Sequence, residues 1–146
     1  MNHTNTGYLF TELLLEVFRF NGALLADGDR ITADIGLTSA RWQVMGTIDD
    51  RSLAVPHIAR EMGLTRQGVQ KTVNILGKEG LIELQNNPHH KTAKLVQITP
   101  KGRQRLDLAS KIQMEWANTL TQTLNIDDLK TAYNVIQILR IKIEEG

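Results

Sequence analysis

The sequence predicts a mainly α fold of the α+β class, in which long helices at both ends of the chain flank a helix pair and a small β ribbon. Three observations predict it. From Val55 to Gly80 the apolar residues recur at helical spacing on either side of a single glycine-centred break. After Gly80 the period shortens, and LIELQ and AKLVQI read as short strands around the turn-rich NNPHHKT. At the two ends, apolar residues cover more than one face of the expected helices.

A chain of 146 residues is long enough to bury a core, and 41% hydrophobic with 23% charged residues is ordinary for a folded soluble protein. No apolar run approaches the roughly 20 residues needed to span a bilayer, and MNHTNTGY lacks a signal peptide's basic and apolar segments, so a cytoplasmic protein without membrane contact is expected. The absence of cysteine excludes disulfides, thiol redox chemistry and cysteine-ligated metal.

The N-terminal helix is expected from about Gly7 to Leu25, with Leu9, Leu13, Val17, Phe20 and Leu24 on one face and Phe10, Leu14 and Phe18 on a neighbouring one. One stripe serves a core; two call for a second partner. ADGDRITADIG reads as a loop or frayed helix end by its Gly and Asp content. Thr38 or Ser39 then caps a helix through Ile48 whose inner face carries Trp42, Met45 and Ile48.

Within Val55 to Gly80, Pro56 suits a first helical turn, Gly63 suits a left-handed C-terminal cap, and Leu64 is placed to plug the corner. Thr65 caps the second helix, where Val69, Val73 and Leu76 form a buried face and Gly80 closes the end. The opposite face holds Gln67, Gln70, Lys71, Asn74 and Lys78, flanked by Arg66, with no acidic member. Gln and Asn pair with adenine, and Lys and Arg pair with guanine or phosphate, so the row suits a duplex. This is the pattern of a helix-turn-helix whose second helix enters the major groove. The hairpin alone is equally well read as an ordinary pair of packed helices with a solvated stripe.

Two further features favour the nucleic-acid reading. Between Arg60 and Arg103 eight cations stand against three carboxylates, so that segment is basic while the rest of the chain is acidic and the whole nets only +1. The two strands, with Ile82 and Leu84 able to face Val96 and Ile98, form a ribbon too small to stand alone. Leaning on the helix pair, it becomes a wing whose tip carries His89, His90 and Lys91.

Thr99-Pro100 restarts a helix expected to pass Trp116 and end near Leu124, and Asn125 or Asp127 starts the last one. There Leu129, Ala132, Tyr133, Ile136 and Ile143 make one apolar face, which Val135, Ile138, Leu139 and Ile141 widen nearly around the helix. A second copy of the chain is the simplest cover, and a dimer would present two reading helices to two half-sites.

The order of parts resembles the MarR (multiple antibiotic resistance regulator) family of transcription factors over essentially the whole length. The matching residues are LTSARWQVM at 37 to 45, IAREMGLTRQGVQKTVNILGKEGLIE at 58 to 83 and KLVQITPKGR at 94 to 103. The resemblance implies one domain across 1–146, with a winged helix-turn-helix at about 37–102 and dimerisation helices at about 7–30 and 103–146. It further implies a homodimer on a pseudo-palindromic operator, usually repressing, and often released by a small phenolic or anionic ligand. The positions expected to meet double-stranded DNA are Thr65, Arg66, Gln67, Gly68, Gln70, Lys71, Asn74, His89, His90, Lys91 and Lys94. Phe20, Trp42 and Met45 are the candidates for effector contact, although each lies on an apolar face and reads more readily as core.

Two departures accompany the match. Where the family's wing carries an Asp, an Arg two residues on, and then a Leu-Thr pair, this chain has His90, Thr92, Ile98 and Thr99. Phosphate contact through Lys91 and Lys94 is therefore expected more than base-specific insertion. Gly68 near the start of the reading helix costs about 1 kcal/mol relative to Ala, and either close approach to DNA or neutral drift accounts for it.

His89 and His90 sit in a turn without a completing carboxylate, so no metal site or cofactor is expected, and no nucleophile–base–orienter set points to an enzyme. A winged module that binds protein and not an operator is the alternative from another class, encouraged by the altered wing.

Overall fold

The computed structural model describes residues 1–146, except the side chain of Lys91. It forms two compact units, Met1–Ile112 and Gln113–Gly146. The first contains α1 (Asn5–Thr32), a one-turn 3-10 helix (Ala33–Ile35), α2 (Ser39–Thr47), β1 (Leu53–Ala54), α3 (Val55–Met62), α4 (Arg66–Lys78), β2 (Ile82–Asn87) and β3 (His90–Ile98). Helix α5 (Pro100–Leu120) begins in the first unit and ends in the second, which also holds α6 (Ile126–Glu145). Fold class and helix order agree with the sequence expectation.

The core of the first unit joins Val44, Met45 and Ile48 of the α2 region to Ile58, Val69, Val73 and Leu76 of the helix pair, Leu81 and Ile82 after it, and Val96 of β3. Val69, Val73 and Leu76 are each at most 1% exposed, so the anticipated face is the one that anchors α4. Burying side chains of this size stabilises by about 1.5–3 kcal/mol each.

Helix α1 continues to Thr32, well into the segment expected to be a loop or a frayed helix end, and the 3-10 turn and left-handed Gly36 complete that segment. Gly28 is a point of close approach: a Cβ built there would lie 2.1 Å from Ser39 Oγ. Ser39 Oγ donates to the Leu25 carbonyl at 2.7 Å, and its amide donates to Asp29 Oδ1 at 2.7 Å. The buried Thr32 hydroxyl bridges the carbonyls of Gly28 and Leu37 at 2.7 and 3.0 Å. Glycine and aspartate here bind α1 to the start of α2 and do not break the helix. Ser39 is thereby used in packing, and Thr38 makes the cap, accepting from the Arg41 amide at 3.2 Å.

The ribbon has the expected register, Ile82 opposite Ile98 and Leu84 opposite Val96. A third strand was not anticipated: β1 pairs with β3, Leu53 opposite Val96 and Ala54 opposite Leu95, giving the order β1-β3-β2. Two residues carry too little alternation to signal a strand. The turn is also tighter than NNPHHKT implied, because Asn87 pairs with His90 and only Pro88 and His89 lie between them. His89's amide donates to Asn87 Oδ1 at 3.0 Å, closing the turn through the asparagine side chain.

Helix α5 stops at Leu120, short of the expected Leu124, and the chain turns before Asn125 caps α6 by accepting from the Asp127 amide at 2.7 Å. No residue of α6 is buried; Tyr133, Ile136, Ile138 and Ile143 are among its exposed apolar side chains. On α1, Leu9, Phe18 and Phe20 are likewise exposed.

Candidate nucleic-acid interface

The turn that presents α4 follows from local chemistry. Gly63 adopts φ 66°, a left-handed cap that an L side chain enters at a cost, and the Leu64 amide donates to the Ala59 carbonyl at 2.9 Å. Leu64 plugs the corner only in part and stays 37% exposed. Thr65 Oγ1 accepts from the Gly68 amide at 3.0 Å. A Cβ on Gly68 would crowd that same hydroxyl at 2.9 Å, so the glycine also makes room for the cap.

Arg66, Gln67, Gln70, Lys71, Asn74 and Lys78 are all exposed, opposite the buried face. Among the described residues, no ion pair reaches Arg66, Lys71, Lys78 or Lys94. Two nearby carboxylates, Glu61 and Glu79, are instead held by side chains outside α4. Glu61 pairs with Arg51 and, at 3.1 Å, with His57; Glu79 pairs with Arg41 at 3.2 Å. The Arg51 hydrogen bond holds the Glu61 carboxyl below its ordinary range, with partial burial opposing. Lys101 Nζ donates to the Glu79 carbonyl at 2.8 Å, and Arg103 pairs with Asp49. The cations of α4 thus face solvent without a carboxylate partner among the described residues.

Beside α4 the start of α3 and the ribbon enclose an open groove of about 550 Å³. Arg66, Gln67, Gln70, Thr92 and Lys94 supply its polar lining; Val55, Pro56, Leu84 and Ala93 supply its apolar lining. It brings together Arg66, Gln67, Gln70 and Lys94 of the expected positions. Lys71 and Asn74 stand further along α4, while Thr65 and Gly68 form its cap. His89 occupies the ribbon turn, and His90 lies in β3, not in the turn, with Nδ1 3.3 Å from Thr92 Oγ1. Lys91 falls outside the described side chains.

The sequence reading missed Val55, Pro56, Leu84, Thr92 and Ala93 as groove residues. Leu84 had a signal, since it shares a strand face with Ile82; lying on the edge strand it remains 50% exposed, whereas Val96 opposite it is enclosed between β1 and β2. For the effector candidates, Met45 is enclosed in the core, Trp42 packs against that core half-buried, and Phe20 is exposed on α1.

A family model described as MarR family matches residues 35–91. An uncharacterised protein of Mycobacterium tuberculosis (strain ATCC 25618 / H37Rv) is 39% identical over 113 residues, 77% of this chain and 79% of that one. The chain belongs to the MarR family. Among solved structures, a MarR/EmrR family transcriptional regulator from Acinetobacter sp. ADP1 superposes with a TM-score of 0.84 at 17% identity, over 94% of this chain and 99% of its own. The transcriptional repressor CouR, bound to a 23-mer DNA duplex, gives 0.78 at 21% identity over 95% and 99% of the two chains. CouR from Rhodococcus jostii RHA1 bound to p-coumaroyl-CoA gives 0.77 at 18% identity over 87% and 90%. These likenesses show the MarR winged-helix fold; among the described residues, no helix is long and apolar enough to cross a membrane.

Proposed function

We propose that this MarR-family chain is a sequence-specific DNA-binding regulator that acts as a homodimer on a pseudo-palindromic operator, with repression as its outcome. The observation that carries the reading is the outward face of α4, where Arg66, Gln67, Gln70, Lys71 and Asn74 are exposed beside a groove that Lys94 also lines. Amides supply base readout and the cations supply counterion release. Dimerisation is supported by the exposed apolar residues of α6, which a second copy would cover. The duplex-bound state of CouR, a protein of like fold, adds to the reading.

Release by a small phenolic or anionic ligand is the finer part of the proposal. It draws on the family resemblance and on CouR, which binds p-coumaroyl-CoA. A thermal-shift screen of phenolic acids and their thioesters, followed by operator titration with any stabilising compound, tests it.

Selection of bound duplexes from a random pool tests the main reading. A two-fold symmetric consensus is expected, bound with an affinity that falls steeply with salt. Failure to enrich any duplex, together with recovery of a stoichiometric protein partner from DNase-treated lysate, would replace it with the protein-interaction reading.

A further inference from the structure

Polar contacts from three elements close a ring around the C-terminal end of α4. The left-handed turn at Gly36, φ 72°, presents two successive carbonyls at the end of the 3-10 helix. Arg105 Nη1 of α5 donates to the Ile35 carbonyl at 2.7 Å, and Arg41 Nη1 of α2 donates to the Gly36 carbonyl at 3.3 Å. The same Arg41 nitrogen lies 3.2 Å from Glu79 Oε1, and Lys101 Nζ of α5 donates to the Glu79 carbonyl at 2.8 Å, which returns the path to α5. All of these residues lie within Met1–Ile112. From this ring we infer that Arg41 is a positioning residue for DNA reading: through Glu79 it fixes the far end of α4, so that operator discrimination depends on a side chain outside the reading face. The inference rests on the DNA-binding reading and deepens it.

The use of such a hold follows from how α4 is otherwise anchored. The Gly63 turn and the Thr65 cap fix its start, and Val69, Val73 and Leu76 bury its inner face. Apolar burial is non-directional, so it keeps the helix on the core without setting its tilt or rotation. Base reading needs both, because hydrogen bonds weaken steeply with angle and a binding constellation has to be held within about 0.5 Å by supporting side chains. Arg41 suits that task. Its side chain is 25% exposed and that of Glu79 40%, so the pair is partly shielded from water. A guanidinium is always charged, and its planar fork can serve two acceptors at once. Lys101 complements the negative end of the α4 dipole, and the Thr99 hydroxyl, donating to the Gly80 carbonyl at 2.6 Å, adds a second fixed point beside it.

Anisotropy titrations of a selected operator and a scrambled duplex test this, using the full-length wild type, Arg41→Met, Glu79→Ala and the double variant. Met keeps an apolar stem at position 41, and Ala leaves the Glu79 carbonyl free to hold Lys101, so each variant should fold, which thermal midpoints confirm. Each single variant should lose about fivefold in preference for operator over scrambled duplex, the loss expected of one partly exposed pair. The slope of log affinity against log salt should stay as in the wild type. The double variant should lose no more than Arg41→Met alone, because both changes break one link. Removing a cation and removing an anion shift the general attraction to phosphate in opposite directions, so a loss shared by both singles reports position and not charge. Four results would each overturn the inference while leaving DNA reading intact: unaltered preference in the singles, losses that add in the double, equal weakening on both duplexes, or a slope reduced by about 1 in Arg41→Met, which would make Arg41 a phosphate contact. A wild type that enriches no duplex would remove the DNA-binding reading and this inference with it.

Discussion

The backbone of Gly102 passes so near the carbonyl of Leu81 that a Cβ built on the glycine would stand 2.0 Å from the oxygen and 2.8 Å from Ile98 Cγ1. Thr99 secures the same junction, donating from Oγ1 to the Gly80 carbonyl at 2.6 Å and accepting from the Gly102 amide at 3.0 Å. Here the end of α4, the ribbon and α5 meet. A methyl group would have to displace the Leu81 backbone as well as the Ile98 side chain, so Gly102→Ala should destabilise by about 3 kcal/mol and lower the thermal midpoint by roughly 6–12 °C. Circular dichroism melting checks this; an unchanged midpoint would mean that α5 is free to shift away from Leu81.

Lys71 and Arg66 are exposed on α4 without an ion-pair partner among the described residues. If they meet phosphate, Lys71→Ala and Arg66→Ala should each weaken binding to all duplexes by a similar factor. Each should also reduce the slope of log affinity against log salt by about 1. Titrations of operator and scrambled duplex at several salt concentrations measure both effects, and a loss confined to operator would reassign the residue to base reading.

Glu61 titrates below its ordinary value of 4.5 because Arg51 hydrogen-bonds its carboxylate. A carboxyl whose pKa is depressed on folding adds stability above its unfolded pKa and loses it as pH falls through the folded one. Wild type should therefore melt above Glu61→Gln near neutral pH, and the gap should close on acidification below pH 4.5. A gap independent of pH would show that the ion pair contributes only packing.

On α6, Tyr133 is 66% and Ile143 70% exposed. If a second copy covers this helix, the double variant Tyr133→Asp with Ile143→Asp should sediment as a monomer with its helical content largely kept, and lose affinity for a two-fold site. A dimer that survives both aspartates would place the interface elsewhere.

Much of the candidate interface was legible because its code is local. A cap, a glycine and three apolar residues at helical spacing suffice to place α4 and turn its amides outward, and period-two alternation suffices to set Ile82 against Ile98. The errors share a cause. Gly28 and Asp29 carry the composition of a loop, yet their roles are set by Ser39, ten positions beyond Asp29. Leu53 and Ala54 become a strand only because β3 is there to receive them. His90 is in a strand and not a turn because Asn87 lies opposite it.

By itself, then, the chain's order of residues determined the helix-turn-helix, the ribbon's register and the outward basic row, since each is encoded in periodicity or in side chains a few positions apart, while the MarR kinship was legible as a resemblance of the blocks at 37–45, 58–83 and 94–103. The third strand, the full length of α1, the groove beside α4 and the capture of Glu61 and Glu79 by distant arginines were decided only in the tertiary structure. These depend on which remote segments are brought together, and that choice is not written in local spacing.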